Sequence, residues 1–190
     1  MKRKMLIGLG MSLAAVLLSR TADADVNTPG NGASATGTTN VTYTVPSTYT
    51  VVIPSALAIT AADTYVGDTN NVFIKTSSQV GATETVKVTM PTPQTFKAVN
   101  GTSEIPLTIS HQANGVGTAT EVSSLASEVT LLSKTGTEIG AEDSTGETAT
   151  VGVAALSATV KAKATTAQIA TASFAGLHTG TIQFAVTKGT

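Results

Sequence analysis

The sequence lacks cysteine and tryptophan altogether, and it contains few charged or aromatic residues. Without cysteine the fold cannot contain disulfides, so an apolar core and backbone hydrogen bonds must supply its stability. Charged residues make up 12% of the chain, about half of the usual share, and the formal net charge is -1. Because this charge balance provides no electropositive surface that could neutralise a phosphate backbone, the composition argues against nucleic-acid binding.

Threonine is the residue in excess, at 36 of 190 positions. Together with abundant Val, Ala and Gly, this composition favours β-strands over helices. The length and the 41% share of hydrophobic residues suit a single domain with one core.

The first 24 residues have the pattern of a secretory signal peptide. The basic residues of Lys2–Lys4 precede the apolar run Met5–Leu18, and Ala22–Ala24 places small residues at the two positions that signal peptidase recognises. An apolar run of this length falls short of the roughly 20 residues that cross a bilayer. We therefore expect residues 1–24 to be a signal peptide, and no membrane span after its removal. An exported chain without cysteine is typical of bacteria, with secretion or the cell surface of a Gram-positive cell as the expected location.

The next two segments differ in composition. Residues 25–40 contain Gly, Ser, Thr, Asn and Pro without apolar periodicity, which predicts a flexible N-terminal extension. Residues 41–190 show the apolar alternation of strands throughout, and we predict that they form a single β-sandwich domain.

The strand pattern begins with large residues at every second position, interrupted by Pro46 and ended by Pro54. These residues are Val41, Tyr43, Val45, Tyr49, Val51 and Ile53. The two prolines favour a position near a sheet edge. Further alternation predicts strands at Val72 and Ile74; Val86, Val88 and Met90; Ile105, Leu107 and Ile109; Val129 and Leu131; Val151 and Val153; Leu156 and Val160; and Ile182, Phe184 and Val186.

Turn residues separate these strands, and Asn100-Gly101 is the sharpest hairpin signal, between Phe96–Val99 and Ile105–Ile109. The predicted fold class is therefore all-β: an antiparallel β-sandwich, Ig-like or jelly-roll-like, of seven to ten short strands. The Ala-rich stretch Ala154–Phe174 is compatible with a short helical turn within residues 162–172 or with a strand pair, since periodicity alone does not separate them.

The two ends of this domain carry a family resemblance. The blocks VTYTVPSTYTVVIPSALAIT (41–60) and ALSATVKAKATTAQIATASFAGLHTGTIQFAVTKGT (155–190) resemble the ends of small secreted β-sandwich surface proteins of Gram-positive bacteria, which are fimbrial or adhesin-like. In that group an opening Y-T-V-x-I-P is paired with a closing strand rich in Thr and aromatic residues. His178 departs from the pattern, because such endings often carry Tyr there. The resemblance implies a structural or adhesive role outside the cell.

Candidate chemistry is sparse. The only histidines, His111 and His178, are predicted to be turn residues, and no G-x-S-x-G motif provides a nucleophile elbow. Asp63, Asp68 and the turn Asp143–Glu147 could supply oxygen ligands to calcium, but they lack EF-hand spacing and are interpreted as solvated turn carboxylates. We predict no catalytic residues, no cofactor-binding residues, no metal site and no enzymatic activity.

The sequence thus predicts an exported cell-surface structural or adhesive protein, with a self-assembling, fibre-like subunit as one form of it. We expect one of two binding partners. The first is another copy of the chain, bound through strand edges or through the N-terminal arm 25–45, and the second is a cell-wall or host-surface ligand. The alternative is a secreted binding module for cell-wall polymer or glycan, although few aromatic residues are free to form a sugar platform. A secreted hydrolase is a third, weaker reading.

Overall fold

Twelve short strands make up most of the regular structure of the computed structural model, which describes residues 42–115, 117–142 and 152–190. The strands are β1 (Val51–Val52), β2 (Val72–Ile74), β3 (Thr85–Met90), β4 (Gln94–Thr95), β5 (Lys97–Asn100), β6 (Ser103–Pro106), β7 (Thr108–Gln112), β8 (Thr120–Val122), β9 (Ser124–Leu125), β10 (Val129–Thr135), β11 (Ser157–Lys163) and β12 (Ala185–Gly189). The predicted signal peptide, the extension 25–40, Val41, Val151 and the turn Asp143–Glu147 lie outside the described residues.

Every strand pair is antiparallel. A five-stranded sheet has the order β1-β2-β11-β7-β8, a three-stranded sheet has the order β10-β3-β12, and β4-β9 and β5-β6 form two further pairs. The all-β prediction is confirmed, with the strands distributed over several sheets, while the finer sandwich assignment stays a prediction. None of the helices in the described ranges is long and apolar enough to cross a membrane.

Two short helices and two 3₁₀ turns complete the described structure. Helix α1 spans Gly136–Gly140 and helix α2 spans Thr166–Ile169, while the 3₁₀ turns lie at Ala113–Gly115 and Ala154–Leu156. A threonine begins each α-helix through a capping box, Thr135 with Glu138 and Thr165 with Gln168. Helix α2 confirms the helical alternative within 162–172, and the preceding part of the Ala-rich stretch is strand β11.

The core lies where the predicted alternation is strongest. Val86, Val88 and Met90 of β3 are fully buried, and all three residues of β2 are buried. In β10 a bulge between Thr130 and Leu132 shifts the register, and both Leu131 and Leu132 are fully buried. The bulge explains why two consecutive leucines, which strict alternation would place on opposite faces, both reach the core.

The predicted strand over residues 41–53 is mostly wrong. In its described part, only Val51–Val52 forms a ladder, and the side chains of Tyr43 and Val45 are 86% and 58% exposed. Proline has no N–H to donate, so Pro46 and Pro54 limit the pairing on both sides of this short strand. Their predicted consequence is confirmed, since β1 lies at the edge of the five-stranded sheet.

Other strand boundaries also differ from the prediction. The hairpin at Asn100-Gly101 is present, with Asn100 paired to Ser103 and Gly101 at φ +60°. The strand predicted over Ile105–Ile109 is interrupted at Leu107, and its halves β6 and β7 lie in different sheets. Pro106 contributes no N–H, and the Leu107 N–H donates to the Phe96 carbonyl instead of continuing either strand.

The predicted strands near the C-terminal half show two further differences. Val153 is not in a strand but precedes the 3₁₀ turn at Ala154–Leu156. The last strand begins at Ala185 rather than at Ile182, and Val186 is 38% exposed instead of facing the core. The side chain of Gln94 explains this late start, because it bonds both the N–H and the carbonyl of Gln183 and takes the place of a neighbouring strand.

Candidate functional site

The described structure contains an uncharged groove with a volume of about 800 Å³. Residues 54–60 line one wall, residues 176–182 line the other, and side chains from the β5-β6 hairpin and its flanks form the floor. No Asp, Glu, Lys or Arg contributes to this lining. The floor side chains include Phe96, Ala98, Ile105 and Leu107.

The first wall is a segment that bends at Ser55 and is not part of any sheet. Leu57 and Ile59 are half-buried and pack against the core, whereas Ala58 and Thr60 are exposed, so the segment alternates as a strand does. Within the part of the chain that the structure describes, no backbone hydrogen bond joins residues 54–60 to another residue. Apart from Pro54, which has no N–H, the residues of this wall therefore carry backbone N–H and carbonyl groups that have no backbone partner among the described residues.

The second wall is held closely against β5. Thr179 and Val99 exchange two backbone hydrogen bonds of 2.8 and 2.9 Å. At Gly180 a Cβ atom would lie 2.2 Å from the Lys97 carbonyl oxygen, so only glycine allows this approach. The same segment carries Leu177, which is 82% exposed, and Phe174 just before it is 48% exposed. Leu177 belongs to the groove lining, so the groove presents this large apolar side chain to solvent.

A Ser–His pair fastens the second wall to the hairpin. The Nε2 atom of His178 lies 2.9 Å from the Oγ of Ser103, and its Nδ1 lies 3.0 Å from the Gly176 carbonyl oxygen. Since that carbonyl only accepts, we assign the hydrogen to Nδ1, and Nε2 then accepts from the Ser103 hydroxyl. The Ser173 N–H donates to the same hydroxyl oxygen.

This pair has the atoms of a nucleophile and its base, but it lacks the access that catalysis requires. Ser103 is fully buried, and its oxygen already accepts a hydrogen bond from the backbone. A substrate cannot reach the hydroxyl in this arrangement, so we assign the pair a fastening role. Sequence reasoning missed Ser103 because it lies 75 positions from His178 and no local motif marks it.

The remaining candidate residues of the sequence lie apart from the groove lining. His111 is in strand β7, paired with Val160 and Thr120, and not in a turn as predicted. Burial lowers the pKa of His111. Asp63 accepts from the N–H and the hydroxyl of Thr166, at 3.2 and 2.7 Å, and so holds the start of α2.

Metal binding finds no support in the described ranges. Asp68 is exposed, and no group of three His, Asp or Glu residues there could hold a metal ion. The turn Asp143–Glu147, which was the other source of oxygen ligands, lies outside those ranges.

Most surface charge is engaged in ion pairs. Five of the seven lysines in the described ranges lie within 3.4 Å of a glutamate oxygen. These pairs are Lys87–Glu128, Lys97–Glu104, Lys134–Glu138, Lys163–Glu121 and Lys188–Glu84. Lys163 also lies 4.4 Å from the ring centroid of Tyr65, where a cation–π contact forms. In the described ranges, most lysine charge is therefore balanced by a neighbouring glutamate.

Comparison with known proteins adds no assignment. No family model, no curated protein and no solved structure matches the chain. The function must therefore be inferred from the groove and its surroundings.

Proposed function

We propose that the protein is an exported bacterial surface protein that acts as a self-associating structural or adhesive subunit. The observation that carries this proposal is the groove. Its lining contains no Asp, Glu, Lys or Arg, and the backbone N–H and carbonyl groups of one wall have no backbone partner among the described residues. The signal-peptide pattern and the resemblance of the two chain ends to surface proteins of Gram-positive bacteria support the expected location.

Backbone chemistry favours a protein partner for this groove. An extended segment with free N–H and carbonyl groups recruits another strand, because each new main-chain hydrogen bond satisfies a group that otherwise depends on water. The apolar floor adds the burial of side chains from that strand. A glycan would instead be expected to use exposed aromatic faces, whereas Phe96 on the floor is only 2% exposed.

The exposed apolar surface and the paired charges also favour self-association. Leu177 adds exposed apolar surface to a groove lining that is rich in apolar side chains, and contiguous apolar surface marks interaction sites. Natural edge strands are commonly protected by unpaired lysines or by inward-pointing charges. Here five of the seven described lysines are engaged with glutamates, and none lines the groove.

The test is the oligomeric state of the mature chain, residues 25–190. Size-exclusion chromatography with light scattering over a wide range of concentrations should show oligomers that grow with concentration, and negative-stain microscopy should show assemblies. A monomer at every concentration tested contradicts the proposal. Retention of that monomer by purified cell walls would favour the binding-module alternative instead.

A further inference from the structure

We infer that the groove is the acceptor for residues Thr42–Val45 of a second copy of the chain. This inference rests on the proposed function and names the partner of the same site. The contact requires an acceptor on one copy and a donor on the other, and both consist of residues that the structure describes.

The acceptor side is the wall 54–60, whose burial alternates over residues 56–60. Leu57 and Ile59 pack against the core, and the whole wall lines the groove, so its backbone borders the groove. Five residues in strand conformation span about 16 Å at ~3.3 Å per residue. A strand added beside this wall would cover the apolar floor, including Ala98 and Leu107, and would bond to the wall's N–H and carbonyl groups.

The donor side is a short segment with the sequence Thr-Tyr-Thr-Val. Tyr43 and Val45 are 86% and 58% exposed, although a large apolar side chain gains from burial. In an extended strand these two side chains point to the same face, and Thr42 and Thr44 favour that conformation. Four residues span about 13 Å, which fits within the length of the wall.

Charge and connection favour a copy of this chain over an unrelated peptide. The sequence contains no charged residue between Asp25 and Asp63, and the groove lining contains none, so pairing the two desolvates no charge. The chain is tied to its own fold at Thr48, which exchanges two backbone hydrogen bonds with Gln79. Tyr43 and Val45 precede this anchor, and each copy therefore carries both an arm and a groove.

An arm on one copy that enters the groove of the next makes a heterologous, head-to-tail contact. Such a contact propagates into a filament unless the rotation between copies closes a ring. This property allows a complementation test, because a copy with a defective arm still has a groove and a copy with a defective groove still has an arm.

The test uses two variants of the mature chain. The arm variant combines Tyr43→Ser and Val45→Ser, and the groove variant is Ala58→Lys, which places a charge on the exposed side of the wall. Each variant alone should be monomeric, and an equimolar mixture should form a 1:1 dimer with twice the monomer mass by light scattering. Thr42→Ser with Thr44→Ser, and Ala119→Lys on an exposed loop, are the matched controls and should assemble as the unmodified chain does.

The outcomes separate the two proposals. If the unmodified chain associates but the mixture stays monomeric, or if the arm variant associates as well as the unmodified chain, the arm-and-groove pairing is wrong and self-association stands. If the unmodified chain is itself monomeric at every concentration, the proposed function fails. Thermal melting of each variant shows whether it has folded, and Thr60→Lys serves as a second groove variant should Ala58→Lys unfold.

Discussion

At the scale of single residues, two buried side-chain amides replace strands that are missing from the sheets. The Asn71 side chain donates to the Val160 carbonyl at 2.8 Å and accepts from the Val160 N–H at 2.9 Å. Gln94 binds both backbone groups of Gln183 in the same way, at 3.2 and 2.9 Å. A side-chain amide has the donor and acceptor of a peptide group, so it satisfies a strand residue where no neighbouring strand is available.

Asn71→Ala should destabilise the domain strongly. It leaves the N–H and the carbonyl of Val160 without these partners in a fully buried place, and each unpaired buried group costs roughly 1–3 kcal/mol. Since domains of this size are stable by about 5–15 kcal/mol, urea titration should show a large fall in the midpoint. Thr69→Ala, which removes an exposed side chain two residues away, should change the midpoint little. Similar midpoints for the two variants would contradict this role for the amide.

Glu84 links three parts of the chain through one carboxylate. It pairs with Lys188 of β12, and it accepts from the Ser47 hydroxyl and from the Gly81 N–H. The Lys188 ammonium, followed by the two other donors, lowers the pKa of Glu84 from its ordinary value of 4.5 to about 2.

The depressed pKa of Glu84 predicts a loss of stability in acid. A carboxylate whose pKa is lower in the folded state stabilises the fold above the unfolded pKa, and this contribution is lost as the pH falls through the folded pKa. The melting temperature should therefore decline between about pH 4.5 and pH 2. Glu84→Gln should melt at a lower temperature than the unmodified chain at neutral pH, and its melting temperature should decline less steeply in acid. Lys188→Met should also decline less steeply than the unmodified chain. An unchanged slope in both variants would contradict the assignment.

At the scale of elements, alternation predicted the buried strands and failed for the exposed or interrupted ones. Strands β2, β3 and β10 lie where apolar residues recur at every second position, because burial on a sheet requires that spacing. Strands β4 and β9 are two residues long and carry no period of their own. The groove could not be predicted from the sequence, because its walls come together only through contacts between distant parts of the chain. These walls are residues 54–60 and 176–182. The Ser103–His178 pair could not be predicted for the same reason.

The last predicted strand can be tested through its register. Phe184 is half-buried, packs against the core and lines the groove, so Phe184→Ala should cost about 2 kcal/mol, less than the roughly 3–5 kcal/mol of a fully buried phenylalanine. Gln183→Ala should be nearly silent, because its side chain is exposed and its bonds to Gln94 run through the backbone. Equal shifts of the unfolding free energy for the two variants would show that these residues do not alternate as described.

At the scale of the whole molecule, the sequence predicts that residues 1–24 are removed on export. The exported protein should begin at Asp25, since the small residues Ala22 and Ala24 occupy the positions that signal peptidase recognises. Intact-mass measurement of exported material checks this. Ala24→Arg should block cleavage, whereas Asp23→Ser keeps both small residues and should leave the product's first residue unchanged. Exported material that still carries residues 1–24 would contradict the prediction.

The pairing of β12 with β3 also constrains when the molecule can fold. Residues 185–189 form a ladder with residues 85–89, about one hundred positions earlier in the chain, and β11 likewise pairs with the distant β2 and β7. Contacts between such distant positions form slowly, because a long loop must close before any bond is gained. The five-stranded sheet cannot be completed before β11 has been synthesised, nor the three-stranded sheet before β12. The topology thus delays folding until nearly the whole domain is present, and the proposed export would require such a delay if the chain crosses the membrane unfolded.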